Sequence, residues 1–117
     1  MTADEMKLRT KKFALRIFKL ADSLPKSASG RTIASQIARS GTSVAANYRA
    51  AGKARSKAEF IAKLGIAEEE ADETQFWLEM IIESGHIKEN LVEPLLQEAR
   101  EITAILAASR ISASRKK

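Results

Sequence analysis

A chain of 117 residues is within the range of one domain and long enough to bury a core without staples. With no cysteine it makes no disulfide or thiolate metal site, and no apolar run approaches the roughly 20 residues that span a bilayer. The net charge of +5 hides a division: residues 1–57 hold 13 Lys/Arg against 3 Asp/Glu, residues 58–109 hold 3 against 12, and residues 110–117 add four cations.

Helix formers dominate, and no stretch alternates β-branched with polar residues, so the chain reads as all-α. Thr2-Ala3-Asp4-Glu5 has the spacing of a capping box. It opens a first helix whose stripe is Met6, Thr10, Phe13, Ile17, Leu20 and Leu24. Leu8, Leu15 and Phe18 lie off that stripe. The residue before Pro25 avoids the α region, so the helix ends there, and Ser23 to Gly30 forms the first connection.

A second helix is expected over Ser29 to Gly52, with Ile33, Ile37, Ser40, Val44, Tyr48 and Ala51 inward. Ser40-Gly41 marks a bend or a close approach of another helix. Ser56-Lys57-Ala58-Glu59 is a second capping box. The third helix then runs through Phe60, Leu64, Ala67, Ala71, Thr74, Leu78 and Ile81, spaced by four and three as in packed bundles. Gly65 inside it reads as a point of close packing, and Ser84-Gly85 as its stop. A fourth helix begins between Lys88 and Pro94 and carries Val92, Leu95, Ala99, Ile102 and Leu106 inward. Short connections give an antiparallel up-down-up-down four-helix bundle. It spans residues 1–109, and residues 110–117 form a basic disordered tail.

The segment QIARSGTSVAANYRAA, Gln36 to Ala51, together with Ser56-Lys57-Ala58-Glu59-Phe60, Glu73 and Trp77-Leu78-Glu79, resembles a known group. It is similar to the four-helix-bundle proteins related to the ribosomal RNA intervening-sequence protein, which include the accessory variability protein of diversity-generating retroelements. The places that carry the resemblance are Gln36, Arg39, Ser43, Asn47, Lys57 and Phe60, within about residues 8 to 107. It departs from the family pattern at Ala50, where an acidic residue is usual. The resemblance implies a ring-shaped homopentamer and, in the retroelement case, one that binds nucleic acid and a reverse transcriptase or other protein partner.

Little in the chain points to catalysis. His86 is the single histidine and sits beside Gly85, better read as a surface or capping residue than as a general base. The carboxylates from Glu68 to Glu73 lack the inward Glu-x-x-His motifs of di-iron bundles, and no glycine loop for phosphate occurs. A non-enzymatic protein needing no cofactor is expected. Asn47 and Gln36 read as polar groups that fix helix register.

The candidate functional surface is basic. Arg16, Lys19, Arg31, Arg39, Arg49, Lys53, Arg55 and Lys57 are the expected nucleic-acid-binding set, supported along the first helix by Lys7, Lys11 and Lys12. Cations of this kind neutralise phosphates without reading base edges. The alternative is a protein-binding or structural bundle whose opposite charges mediate self-assembly. The charged start, Met1 to Lys12, lacks the apolar stretch of a signal peptide, so a cytoplasmic, membrane-free location is expected.

Overall fold

The computed structural model describes residues 1–116. It contains four helices: α1 (Ala3–Asp22), α2 (Ala28–Ala51), α3 (Lys57–Ser84) and α4 (Glu89–Arg115). They lie side by side in a rod of 49 × 22 × 19 Å. The connections, residues 23–27, 52–56 and 85–88, are too short to cross the rod, so successive helices run antiparallel. α2 packs on both α1 and α3, and α3 on α4. The fourth seam, between α1 and α4, is much less closely packed.

Caps explain where the helices start. Thr2 Oγ1 accepts the Glu5 N–H while the Glu5 carboxylate accepts the Thr2 N–H, both at 3.1 Å, completing the expected box. Hydrogen bonding from the Thr2 backbone N–H, and after it from the Thr2 hydroxyl, holds the Glu5 carboxyl below its ordinary pKa. At the start of α3 half of the box forms: Ser56 Oγ accepts the Glu59 N–H at 3.0 Å. α3 stops at Gly85, whose φ of 76° is the left-handed conformation glycine adopts without a Cβ clash. α4 starts at Lys88 with no side-chain cap. Pro94 therefore falls in the second turn, where its missing N–H leaves the Asn90 carbonyl without its usual helical donor.

The four stripes meet in one core. Phe13, Ile17, Ile37, Val44, Leu64, Leu78, Ile81, Val92, Ile102 and Leu106 are sealed from solvent, with Leu20, Tyr48 and Phe60 half-buried at its margin. Three polar residues, Thr10, Ser40 and Thr74, are also fully buried. Thr10 donates to the Met6 carbonyl at 3.0 Å, and Thr74 reaches Ser40 Oγ across α2 and α3 at 2.9 Å. Among the described residues no buried side-chain polar atom is left without a partner. Each hydroxyl also has a carbonyl within its own helix, Glu70 for Thr74 at 2.7 Å and Ile37 for Ser40 at 3.4 Å, so the pair adds one bond between α2 and α3 without leaving either group dependent on it.

Two glycines inside helices behave differently. At Gly41 an added Cβ would sit 2.8 Å from Ile17 Cγ2 and 3.0 Å from Ile17 Cβ, so this is the close approach of α1 to α2 that Ser40-Gly41 foreshadows. Gly65 is not such a point: its nearest neighbour would be Arg110 Cδ at 3.7 Å, ordinary contact. Gly65→Ala is therefore expected to raise the unfolding free energy by about 0.5–1 kcal/mol, the usual helix preference for alanine over glycine. A urea titration reads this directly, and a loss of stability would show that Gly65 does serve a close approach.

The end of the chain also differs from expectation. α4 does not stop at Ser109 but continues to Arg115, so Arg110 to Arg115 are helical. Arg110 Nε donates to Glu68 at 2.6 Å and Ser114 Oγ to the Arg110 carbonyl at 2.9 Å, which anchors a segment that has no apolar stripe. Lys117 lies outside the described residues.

Candidate nucleic-acid interface

The eight expected cations do not form one patch. Arg39 is committed elsewhere: its guanidinium donates to Glu70 at 2.8 Å and to Glu73 on the facing helix α3. The Glu70 and then the Glu73 hydrogen bonds raise its pKa. Glu73 also accepts the Trp77 indole N–H at 3.3 Å. Arg39, Glu73 and Trp77, all in the motif that carries the resemblance, thus form one network that clamps α2 to α3. Asn47 bonds within its own helix, donating to the Ser43 carbonyl at 2.9 Å and hydroxyl at 3.1 Å.

Four of the others gather at one end of the rod, where α1 begins, α2 ends, α3 begins and α4 ends. Arg49 occupies the last turn of α2 and, with Lys7 and Lys11 of α1, lines a groove floored by Ala45 and Ala46. The small alanines keep that floor low, so the three long side chains stand over it. Lys53 and Arg55 project from the α2–α3 connection, and Lys57 is the first residue of α3. Lys57 shares a second groove with Lys116, Ser109, Ser112 and the half-buried Phe60.

The remaining three lie apart. Arg31 is in the first turns of α2, at the opposite end of the rod. Arg16 and Lys19 border the loosely packed α1–α4 seam. Among the described residues, ion pairs involve only Arg9, Arg39, Arg100 and Arg110 as cations. Arg9 bridges α1 to α4 through Glu98 and Glu101, which raise its pKa, Glu98 the more.

Lys116, expected in the basic tail, is the C-cap of α4 and lines the second groove. Lys7 and Lys11 stood outside the eight because nothing local shows that their side of α1 faces the end of α2. The other chemistry is sparse. His86 Nε2 lies 2.8 Å from Ser29 Oγ, joining two connections at the far end from the basic groove. No group of three or more His, Asp or Glu among the described residues is placed to hold a metal, and no helix among them is long and apolar enough to cross a membrane.

Residues 5–108 match the family model described as 23S rRNA-intervening sequence protein. A solved structure from Bacteroides thetaiotaomicron VPI-5482, a protein of unknown function from the S23 ribosomal protein family, is similar at 37% identity with a TM-score of 0.87. The match covers 94% of this chain and 98% of that one. No curated protein matches this chain.

Proposed function

The chain belongs to the 23S rRNA-intervening sequence protein family, and from that premise we propose that it is a non-enzymatic, homo-oligomeric accessory protein that holds the backbone of RNA or DNA on the basic end of its bundle. The observation that carries this reading is the convergence at that end of Lys7, Lys11, Arg49, Lys53, Arg55, Lys57 and Lys116, none of them ion-paired to a carboxylate. Seven like charges in one place repel one another, and polyanion phosphates are the natural counter-charge.

The mode of binding follows from what surrounds them. No aromatic ring stands exposed in the Lys7–Lys11–Arg49 groove for bases to stack on, so contacts go to phosphates and carry little sequence information. Several copies would present several such ends to one strand and multiply avidity without new contacts. The five-copy ring that the resemblance implies is one such arrangement.

Fluorescence anisotropy with a labelled RNA hairpin tests the assignment. Lys11→Glu with Arg49→Glu is expected to weaken binding by at least about tenfold and to flatten the salt dependence by about two contacts per subunit. Arg31→Glu, at the other end of the rod, should bind as the parent does. A Lys11/Arg49 double variant with parental affinity would remove the basic end as the interface.

A further inference from the structure

The opposite charges of this chain are only partly paired inside one molecule: Glu68, Glu70 and Glu73 of α3 have arginine partners, and Glu59, Glu69, Asp72, Glu79 and Glu83 have none among the described residues. α1 carries six cations against three carboxylates, and α3 eight carboxylates against two cations. Yet the two helices sit diagonally across the bundle, with no close approach of their backbones. Their outer sides point away from each other into solvent.

Each outer side carries a second stripe, besides the one that faces the core. On α1 it runs Leu8, Lys12, Leu15, Lys19, at spacings of four, three and four. On α3 it runs Ile66, Glu69, Glu73, Phe76, Met80, at spacings of three, four, three and four. That is the period of a helix seam meant for another helix. The apolar members are exposed: Leu8 54%, Leu15 58%, Ile66 41%, Phe76 49% and Met80 38%. The polar members are cationic on α1 and anionic on α3. Neither helix needs these leucines, phenylalanine or methionine for its own core.

We infer that the outer stripe of α1 in one copy packs against the outer stripe of α3 in a second copy of this chain. The inference rests on the homo-oligomeric reading above and names its contact. Leu8 and Leu15 bury against Ile66, Phe76 and Met80, while Lys12 and Lys19 meet Glu69, which has no ion-pair partner among the described residues; Glu73 stays with Arg39. Two α1 faces would instead bring lysines together, and two α3 faces glutamates, so like-with-like pairing is opposed by charge. Because the complementary faces lie on opposite sides of each copy, the contact is heterologous and adds copies head to tail, with a ring the closed form of that arrangement and a filament the open one. Arg16 and Lys19, on the same flank of α1, then serve the protein contact rather than nucleic acid.

Mass in solution by light scattering decides this with two face variants, both at exposed positions and both checked by an unchanged helical signal. Leu8→Glu/Leu15→Glu removes the α1 face, and Phe76→Lys/Met80→Lys removes the α3 face. The parent should be an assembly, and each variant alone a 12.8 kDa monomer. An equal mixture should give a species of twice 12.8 kDa, or 25.6 kDa, from the one intact face each variant retains. An α3-face variant that keeps the parental mass, or a mixture that stays monomeric, overturns the contact while the homo-oligomer stands. A parent that is itself monomeric overturns both.

Discussion

Phe13→Ala is expected to lower the unfolding free energy by about 3–5 kcal/mol, the range for deleting a large buried ring. Of the four phenylalanines, Phe13 alone is sealed from solvent, between Thr10 and Ile17 on the core side of α1. Truncation there removes apolar burial and leaves a cavity that rigid neighbouring helices only partly close. With total stabilities for such domains of about 5–15 kcal/mol, the variant should melt tens of degrees lower or be partly unfolded at 37 °C. Phe76→Ala, at a position 49% exposed, should leave the stability of a single bundle nearly unchanged. Thermal unfolding followed by circular dichroism compares the two. Equal effects would mean that α1 does not pack as described.

Gly41→Ala is the second, and its sign is the informative part. On helix propensity alone the change should stabilise by about 0.5–1 kcal/mol. The added methyl would lie 2.8 Å from Ile17 Cγ2 and 3.0 Å from Ile17 Cβ, and a β-branched side chain held in a full core cannot swing aside. Overpacking of this kind costs about 1–3 kcal/mol, which outweighs the propensity. A net loss in the denaturant midpoint is expected, opposite to the gain at Gly65. In an Ile17→Ala background, which lacks the Cγ1 and Cγ2 atoms of that contact, Gly41→Ala should cost less than in the parent. A Gly41→Ala chain as stable as the parent would show that α1 and α2 are further apart than the fold has them.

Most of the fold was legible because its determinants are local. Thr2-Ala3-Asp4-Glu5, Ser56 and Gly85 mark helix ends through bonds spanning three or four residues, and the 3–4 stripes name the buried faces directly. Where the signals are long-range, the sequence alone misleads. Gly65 reads like Gly41 until one sees that only Gly41 has a neighbour at Cβ distance. The apolar pattern stops after Leu106, but α4 goes on, held by an Arg110–Glu68 pair 42 residues apart in the chain. The capping box at Ser56 forms only its hydroxyl half, because spacing shows that a carboxylate can reach back, not that it does.

The candidate site was legible as a class of residue and not as a place. Arg39 looks as basic as Arg49 in the sequence, but Glu70 and Glu73 of the adjacent helix claim it. The choice between those two arginines depends on which side of α2 faces α3, a tertiary fact. Likewise Lys7, Lys57 and Lys116 come from three distant segments, and only the antiparallel path of four helices brings them to one end. Leu8 and Leu15 were visible as residues off the core stripe, but their meaning needs α3 to present a matching acidic stripe on the far side.

The most direct test of the proposed function is the affinity of the full-length protein for a labelled single-stranded RNA, measured across a series of salt concentrations. If the basic end neutralises four or more phosphates, the logarithm of affinity should fall linearly with that of salt, with a slope of about −3 or steeper at about 0.7 per phosphate. No binding at low salt, or an affinity indifferent to salt, would contradict the account.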